Sequence, residues 1–293
     1  MEILLYSVMT QLVMFMPLAL GVSISYTVLR ATDMTLDGSF VLGAGVFAKL
    51  TTLGIPPFLS ALIALISGAM AGIMVSLIQR GGKIDPLLAG IIAAFILVSI
   101  NLIVMGKPNI SLLSSNTLLS FAFNKSDLYG YTITGLYCIT ICFIAAILLN
   151  SKFGLVLRGL GDNPSLLKRL GKPVEFYRSL GFAFTNALSA ASGILTSQVV
   201  GYADTSMGLG MTLTGIGAII LGQQVLKLFT NTSSIRILGE LSACLIGSSI
   251  YFAAMNILLR MNVNPVYLKM ILGFVLIIFL RAALRPAKNE NPT

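Results

Sequence analysis

Apolar runs of about 20 residues, the length of helix that crosses a hydrocarbon core about 30 Å thick, recur along the whole of this 293-residue sequence. Water could not hide so much apolar surface. Of the residues, 56% are hydrophobic and 10% charged, against about 25% charge in a soluble domain. The expected fold is therefore an all-α polytopic membrane protein, a single transmembrane domain without a soluble appendage. About nine membrane segments are expected, at 3–29, 36–53, 55–78, 86–105, 129–149, 179–200, 213–229, 237–259 and 266–280. The second and seventh are Gly-rich and follow polar stretches. Both are expected to be broken, or to start part-way through the membrane, which is tolerated only where protein or a cavity surrounds the backbone. The first run has no basic stretch before it, so it reads as a retained helix and not a cleaved signal.

The charge balance orients the chain. The net charge is +9, but the basic residues are few and sit at the ends of apolar runs, a pattern of membrane topology and not of nucleic-acid binding. With the 150–178 connection inside, only Lys49, Lys107, Lys125, Arg260 and Lys269 of the 19 Lys and Arg fall on the outer side. That asymmetry places the N-terminus outside and the C-terminus inside. Four segments precede the fifth and four follow it in opposite orientation, the layout of an inverted repeat. The organisation that follows is a first half at 1–105, a connector and coupling region at 106–178, a second half at 179–281 and a short cytoplasmic tail at 282–293. A faint echo links Asp33–Gly45 with Asp204–Gly217, where acids and hydroxyls precede a Gly-rich helix start.

Several chemistries are disfavoured. The sequence contains no His, which removes the commonest metal ligand and general base. Cys138, Cys142 and Cys244 all lie in apolar runs and read as small core residues. No metal site or catalytic residue is expected, and no intramembrane enzyme can be assembled from these side chains. A phosphate-binding G-x-x-x-x-G-K-[ST] loop is absent from the sequence, so the chain is expected to hold no ATP or other cofactor, and any ATP would be used by a partner.

Two regions carry functional candidates. Residues 161–172 read GDNPSLLKRLGK, a short helix with Asn163 as N-cap, Pro164 at its first position and Gly171 as its stop. Asp162 lies near the positive end of its dipole, and Leu166, Leu167 and Leu170 are expected on one face, with Lys168 and Arg169 elsewhere. Such a helix either rests on lipid headgroups or projects its leucines into a groove on a cytoplasmic partner. The second region is the path itself, for which Asp37, Asn101, Asn186, Ser189 and Ser192 are the lining candidates. Asn186, Ser189 and Ser192 share a helical face, which fits either a water-filled route or hydrogen bonds to a neighbouring helix. Asp33 and Asp37, at the mouth of the second segment and near the expected inner surface, are either intramembrane functional acids or, the stronger reading, caps of a helix start. Gly68 and Gly72 have the spacing of close helix approach.

The run GDNPSLLKRLG, followed by a new span, resembles the coupling-helix region of ATP-binding-cassette importer permeases of the branched-chain amino acid and ribose superfamily. Residues 29–44, LRATDMTLDGSFVLGA, look like the start of the second helix in a subfamily associated with binding proteins for amino-acid-like ligands. The resemblance covers essentially the whole chain. It implies a multi-pass permease of the bacterial inner membrane that pairs with a second permease copy, expected to be identical, with cytoplasmic ATPase subunits and with an external substrate-binding protein. The helix around Asp162, Asn163, Pro164, Leu166, Leu167, Leu170 and Gly171 would then be the ATPase-coupling element, and the solute amino-acid-like. The alternative is a secondary transporter driven by an ion gradient, which would need ionisable groups buried in mid-span, and none is expected there.

Overall fold

The structure, a computed structural model, describes residues 2–82, 84–123, 125, 127–229, 236–264 and positions 267, 270, 271, 273, 274 and 277. Most of the ninth expected segment and all of the 282–293 tail lie outside the described residues.

The described chain is almost wholly helical. Helix α1 (Glu2–Ser23) runs on as a π-helical turn, Ile24–Val28, and is followed by α2 (Thr35–Thr52), α3 (Pro57–Ile78) and α4 (Pro86–Met105). A short strand β1 (Asn109–Ser111) and a one-turn helix α5 (Ser120–Phe123) fill the connection to α6 (Asp127–Asn150). Then come α7 (Lys152–Asp162), α8 (Pro164–Arg169), α9 (Val174–Val200), β2 (Tyr202–Asp204), α10 (Met211–Phe229) and α11 (Arg236–Arg260). Eight of the nine expected segments thus coincide with long helices. The 150–178 connection differs from expectation in holding two helices, α7 as well as α8.

Local chemistry sets the ends. The Asp85 carboxylate accepts from the Leu87 amide at 2.9 Å ahead of Pro86, fixing the start of α4. Gly201, at φ +84°, ends α9 in a left-handed turn that any larger residue would strain. The chain leaves this turn as β2, which pairs antiparallel with β1 in the register Asn109↔Asp204, Ile110↔Ala203 and Ser111↔Tyr202.

Two compact units divide the chain: Val13–Ile216, and Met1–Leu12 with Gly217–Thr293. In the first, α2 packs among α3, α4 and α9, and α3 lies along α9. Gly72 of α3 meets the Phe182 backbone, and Gly193 of α9 meets the Phe40 carbonyl of α2, so closely that a Cβ would collide with main chain. In the second, Gly222 of α10 and Gly247 of α11 make equally close approaches to Ala243 and Ala218, and Asn256 donates to the Gln11 side chain at 2.8 Å.

Five helical stretches among the described residues are long and apolar enough to cross a membrane: Tyr6–Val28, Pro57–Ile78, Pro86–Met105, Tyr129–Asn150 and Ser242–Arg260. A shorter apolar stretch is Met211–Leu226. Helices α2 and α9 are absent from this set. Their Gly, Ser, Thr and Asn residues, which lower hydropathy, are used in contacts with other helices.

Candidate functional site

The centre of the larger unit is a polar latch around the start of α2. Helix α9 has 27 residues, and Asn186 stands about 18 Å along it from Val174, close to its middle. Asn186 donates from Nδ2 to Asp33 Oδ2 at 2.8 Å and to the Phe182 carbonyl at 2.9 Å, and its Oδ1 accepts from Ser39 Oγ at 2.6 Å. Asp33 Oδ1 accepts from the Thr35 amide at 2.9 Å and also from the Thr35 hydroxyl. The four N-terminal amides of a helix lack intrahelical partners, and Asp33 supplies one of the missing acceptors. Asp33, Thr35, Ser39 and Asn186 are all buried.

Asp33 and Asp37, expected as caps near the inner surface, stand on either side of the start of α2. The π-helical turn and an extended link carry the chain on from α1 before α2 begins, so the first turn of α2 docks on the middle of α9. Asp33 is a buried ionisable group beside the middle of α9, where the sequence had offered no such group in mid-span. Its carboxylate accepts on both oxygens from protein donors.

Asp37 does cap a helix, but not the one it belongs to. Its carboxylate accepts from the Gly210 amide at 2.9 Å and from the amide and hydroxyl of Thr212, each at 2.6 Å. It therefore ties the first turn of α2 to the first turn of α10, where a negative charge also complements the helix dipole. The residues before α10 return from the β2 side and press on α2, with Gly208 against the Asp37 carbonyl. The Asp204 carboxyl, at the exposed end of β2, is held below the usual carboxylate range, chiefly by the Ser206 hydroxyl and then by the Ser206 amide.

The five path candidates separate into two groups. Asn186, Ser189 and Ser192 are buried and hydrogen-bonded between segments: Ser189 Oγ donates to the Leu36 carbonyl at 2.6 Å, and Ser192 Oγ to the Met14 carbonyl at 2.5 Å. Asp37 and Asn101 instead share the wall of a cavity of about 250 Å³, with Met34, Val41, Phe95 and Thr205 also lining it. Asn101 Nδ2 donates to the Gly38 carbonyl at 3.0 Å, joining α4 to α2.

The second arrangement is the α7–α8 elbow. Helix α7 starts at Ser151, whose Oγ accepts from the Phe153 amide at 3.2 Å, and Arg158 Nη2 donates back to the Leu149 carbonyl at 2.8 Å. Sequence analysis missed this helix, and the spacing of Phe153, Leu157 and Leu160 is the signal that could have found it; Leu157 and Leu160 are buried. The chain breaks at Asn163, whose Oδ1 accepts from the Leu166 amide at 3.1 Å and the Ser165 hydroxyl at 2.6 Å, and Pro164 opens α8. At the far end Gly171 has φ +72°. The Gly171 amide donates to the Lys168 carbonyl at 3.1 Å and the Lys172 amide to the Leu167 carbonyl at 3.0 Å, a Schellman closure.

The three leucines do not share one environment, because α7 covers Leu167 alone. Leu167 is buried and packs beside Gly159 of α7, while Leu166 and Leu170 are 52% and 65% exposed. Asp162 is the last residue of α7, and its carboxylate pairs with Arg30 at 2.6 Å. Beside it Gly161 sits against the Val28 carbonyl. The elbow is thus fastened to the segment that leads into α2. Sequence reading found α8 and missed this fastening, because Arg30 looked like one more topological charge.

Five helices among the described residues, long and apolar enough to span a bilayer, mark a multi-pass membrane protein. The comparisons with known proteins name the group. The chain belongs to the family described as the permease component of the branched-chain amino acid transport system, which matches residues 4–280. It is similar to an uncharacterised protein of Rickettsia prowazekii, 44% identical over 96% of this chain and 98% of that one. It is also similar to the tyrosine transport system permease protein of Clostridioides difficile, 35% identical over 94% and 89%. A solved structure of PsaBC from Streptococcus pneumoniae in complex with Fab shares the fold, with a TM-score of 0.52 at 17% identity over 96% of this chain and 91% of that one. The chain is a permease subunit of an ABC-type importer of small solutes, multi-pass in the bacterial inner membrane.

Proposed function

We propose that this subunit forms the path for an amino-acid-like solute delivered by an external binding protein, and that it is worked from the cytoplasm through α8. The observation that carries this reading is the elbow: a helix chemically fixed at both ends, anchored by Leu167 and ion-paired through Asp162 to Arg30, presenting Leu166 and Leu170 outward. Two exposed leucines on so short a support fit a groove on a partner. Their partner is a separate ATPase subunit, which binds and hydrolyses the ATP, while this chain holds no cofactor. Asp162, Asn163, Pro164 and Gly171 shape the element, and Leu166 and Leu170 make its contact.

The wider proposal has nine membrane segments in two inverted halves, 1–105 and 179–281, around the connector and coupling region 106–178, with 282–293 as a cytoplasmic tail. Two identical copies enclose the path. An amino acid as solute is supported by the family and by the Clostridioides difficile relative, a tyrosine transport system permease protein.

The test uses the complete transporter with its ATPase and binding protein. Leu166→Asp with Leu170→Asp should release the ATPase on purification and abolish solute-stimulated ATP hydrolysis, while the permease stays monodisperse. Retained, solute-stimulated hydrolysis in this variant would refute the coupling role. Cysteines substituted at Lys168 and Arg169 should react with impermeant reagent only from the cytoplasmic face.

A further inference from the structure

The α7–α8 elbow reaches the membrane part by three routes. Two are covalent, back into α6 and on into α9. Helix α9 is poorly placed to shift, since Gly193 meets the Phe40 carbonyl and Gly72 of α3 meets the Phe182 backbone without room for a Cβ. The third route is the link between α1 and α2. Gly161 sits against the Val28 carbonyl, and the Leu29 and Leu157 side chains lie over Gly181. Such contacts transmit a push but resist a pull only weakly. The attraction on this route is the pair of Arg30 with Asp162 at 2.6 Å.

The link is built to pass a displacement on. Residues 29–34 belong to no helix, and Leu29, Arg30 and Ala31 border a part-open cavity of about 460 Å³ together with Gln79, Asp85 and Arg178, so there is room for a shift. Three residues beyond Arg30 stands Asp33, bonded to Asn186, and seven beyond stands Asp37, which holds the Gly210 and Thr212 amides at the start of α10. Little chain lies between to take up slack. Arg30 itself has φ +51°, a left-handed backbone that is costly for a non-glycine residue and that gathers at clamps and switch regions. The strained residue is the one that makes the ion pair.

We propose that Arg30 is a positioning residue of the transport cycle: through Asp162 it draws the α1–α2 link along with the elbow, so that a stroke of α8 is delivered to the junction where the starts of α2 and α10 meet. This rests on the coupling role proposed for α8. The two side chains are 62% and 50% exposed, and an exposed pair adds little to stability. What it biases is the position the link takes as the elbow moves, by about fivefold, or about 1 kcal/mol.

The experiment uses the permease assembled with its ATPase in lipid nanodiscs and needs no solute. Thr32→Cys, with the three native cysteines replaced by alanine, reports the position of the link through its rate of maleimide labelling. Trapping the ATPase with ATP and vanadate should change that rate about fivefold, and in Arg30→Ala the change should shrink to less than about 1.5-fold, with the ATPase still co-purifying and the melting temperature unchanged. Arg30→Lys, and the exchange Arg30→Asp with Asp162→Arg, should restore it. A full change in Arg30→Ala, no change with Arg30 intact, an exchange that fails to restore it, or loss of the ATPase from Arg30→Ala each overturns the relay. Leu166→Asp with Leu170→Asp separates the two readings: if this variant keeps the ATPase and the nucleotide response, the coupling role of α8 falls and the relay with it. If it loses the ATPase while Arg30→Ala responds in full, the relay alone falls.

Discussion

Helices α6 and α9 are of similar length and were both expected as spans, yet they are built on opposite principles. Along α6, Leu136, Ile139, Phe143 and Ile147 are more than half exposed, and its threonines, Thr132, Thr134 and Thr140, bond back to carbonyls of their own helix. Along α9, nearly every residue from Gly181 to Gln198 is buried, and Asn186, Ser189 and Ser192 reach Asp33, Leu36, Ser39 and Met14 on other segments, while Thr185 and Thr196 bond back as the α6 threonines do. Lipid is as apolar as leucine, so hydrophobic burial cannot drive helix pairing inside a bilayer, and close packing with interhelical hydrogen bonds takes its place. Between these two, the helix that reads more plainly as a span contributes less to the buried core.

The largest effect that sharpens this contrast uses one substitution at contrasting glycines. Gly72→Val or Gly193→Val drives a side chain into the Phe182 or Phe40 backbone, which cannot yield as a side chain would. A loss of about 3 kcal/mol or more is expected, seen as failure to recover a monodisperse peak on size-exclusion chromatography. Gly135→Val on α6 meets nothing within 4 Å and should purify like wild type. Equal behaviour of the two sets would break the comparison.

Next in size is Asn186→Leu. It strands the buried Asp33 and Ser39 side chains without their Asn186 partner, and about 2–3 kcal/mol should be lost. The check is a thermal-stability scan in detergent, with Asn186→Gln as a variant that keeps the amide but moves it. If Asn186→Leu were as stable as wild type, the latch would be incidental and α9 would be held by its glycines alone.

What the sequence made legible follows the same division. Runs of Leu, Ile and Phe at α3, α4 and α6 declare themselves by composition, and the ends of α8 are spelled out by Asn163, Pro164 and Gly171. Asn186, Ser189 and Ser192 could be grouped by helical spacing, but their partners lie roughly 150 or more positions away, and no local pattern specifies them. Asp37 was singled out, yet the helix it caps begins at Met211, which only the folded chain reveals. Leu167 was grouped with Leu166 and Leu170 because a wheel drawn on one short helix cannot show that α7 lies beneath it.

That last error supplies a middle-sized test within α8. Leu167→Ala removes a buried anchor and should cost about 2 kcal/mol, lowering the melting temperature. Leu166→Ala should leave stability within about 0.5 kcal/mol and, on the proposed coupling role, should weaken ATPase retention. Smaller again is Ser189→Ala, which loses one hydrogen bond to the Leu36 carbonyl, worth about 0.6 kcal/mol within a membrane.

The smallest expected effect probes the other side of the contrast. Ile139 and Phe143 on α6 are each 66% exposed, and Ile139→Ala with Phe143→Ala should shift stability by less than about 0.5 kcal/mol in lipid nanodiscs, because acyl chains fill the space vacated. The measurement belongs on the assembled transporter as well as on the isolated permease. A loss above about 1.5 kcal/mol confined to the assembly would mean that another protein surface covers this face there. Helix α6 would then be an interface helix whose burial is completed between subunits, and its difference from α9 would be one of timing: α9 buried as the chain folds, α6 as the transporter assembles.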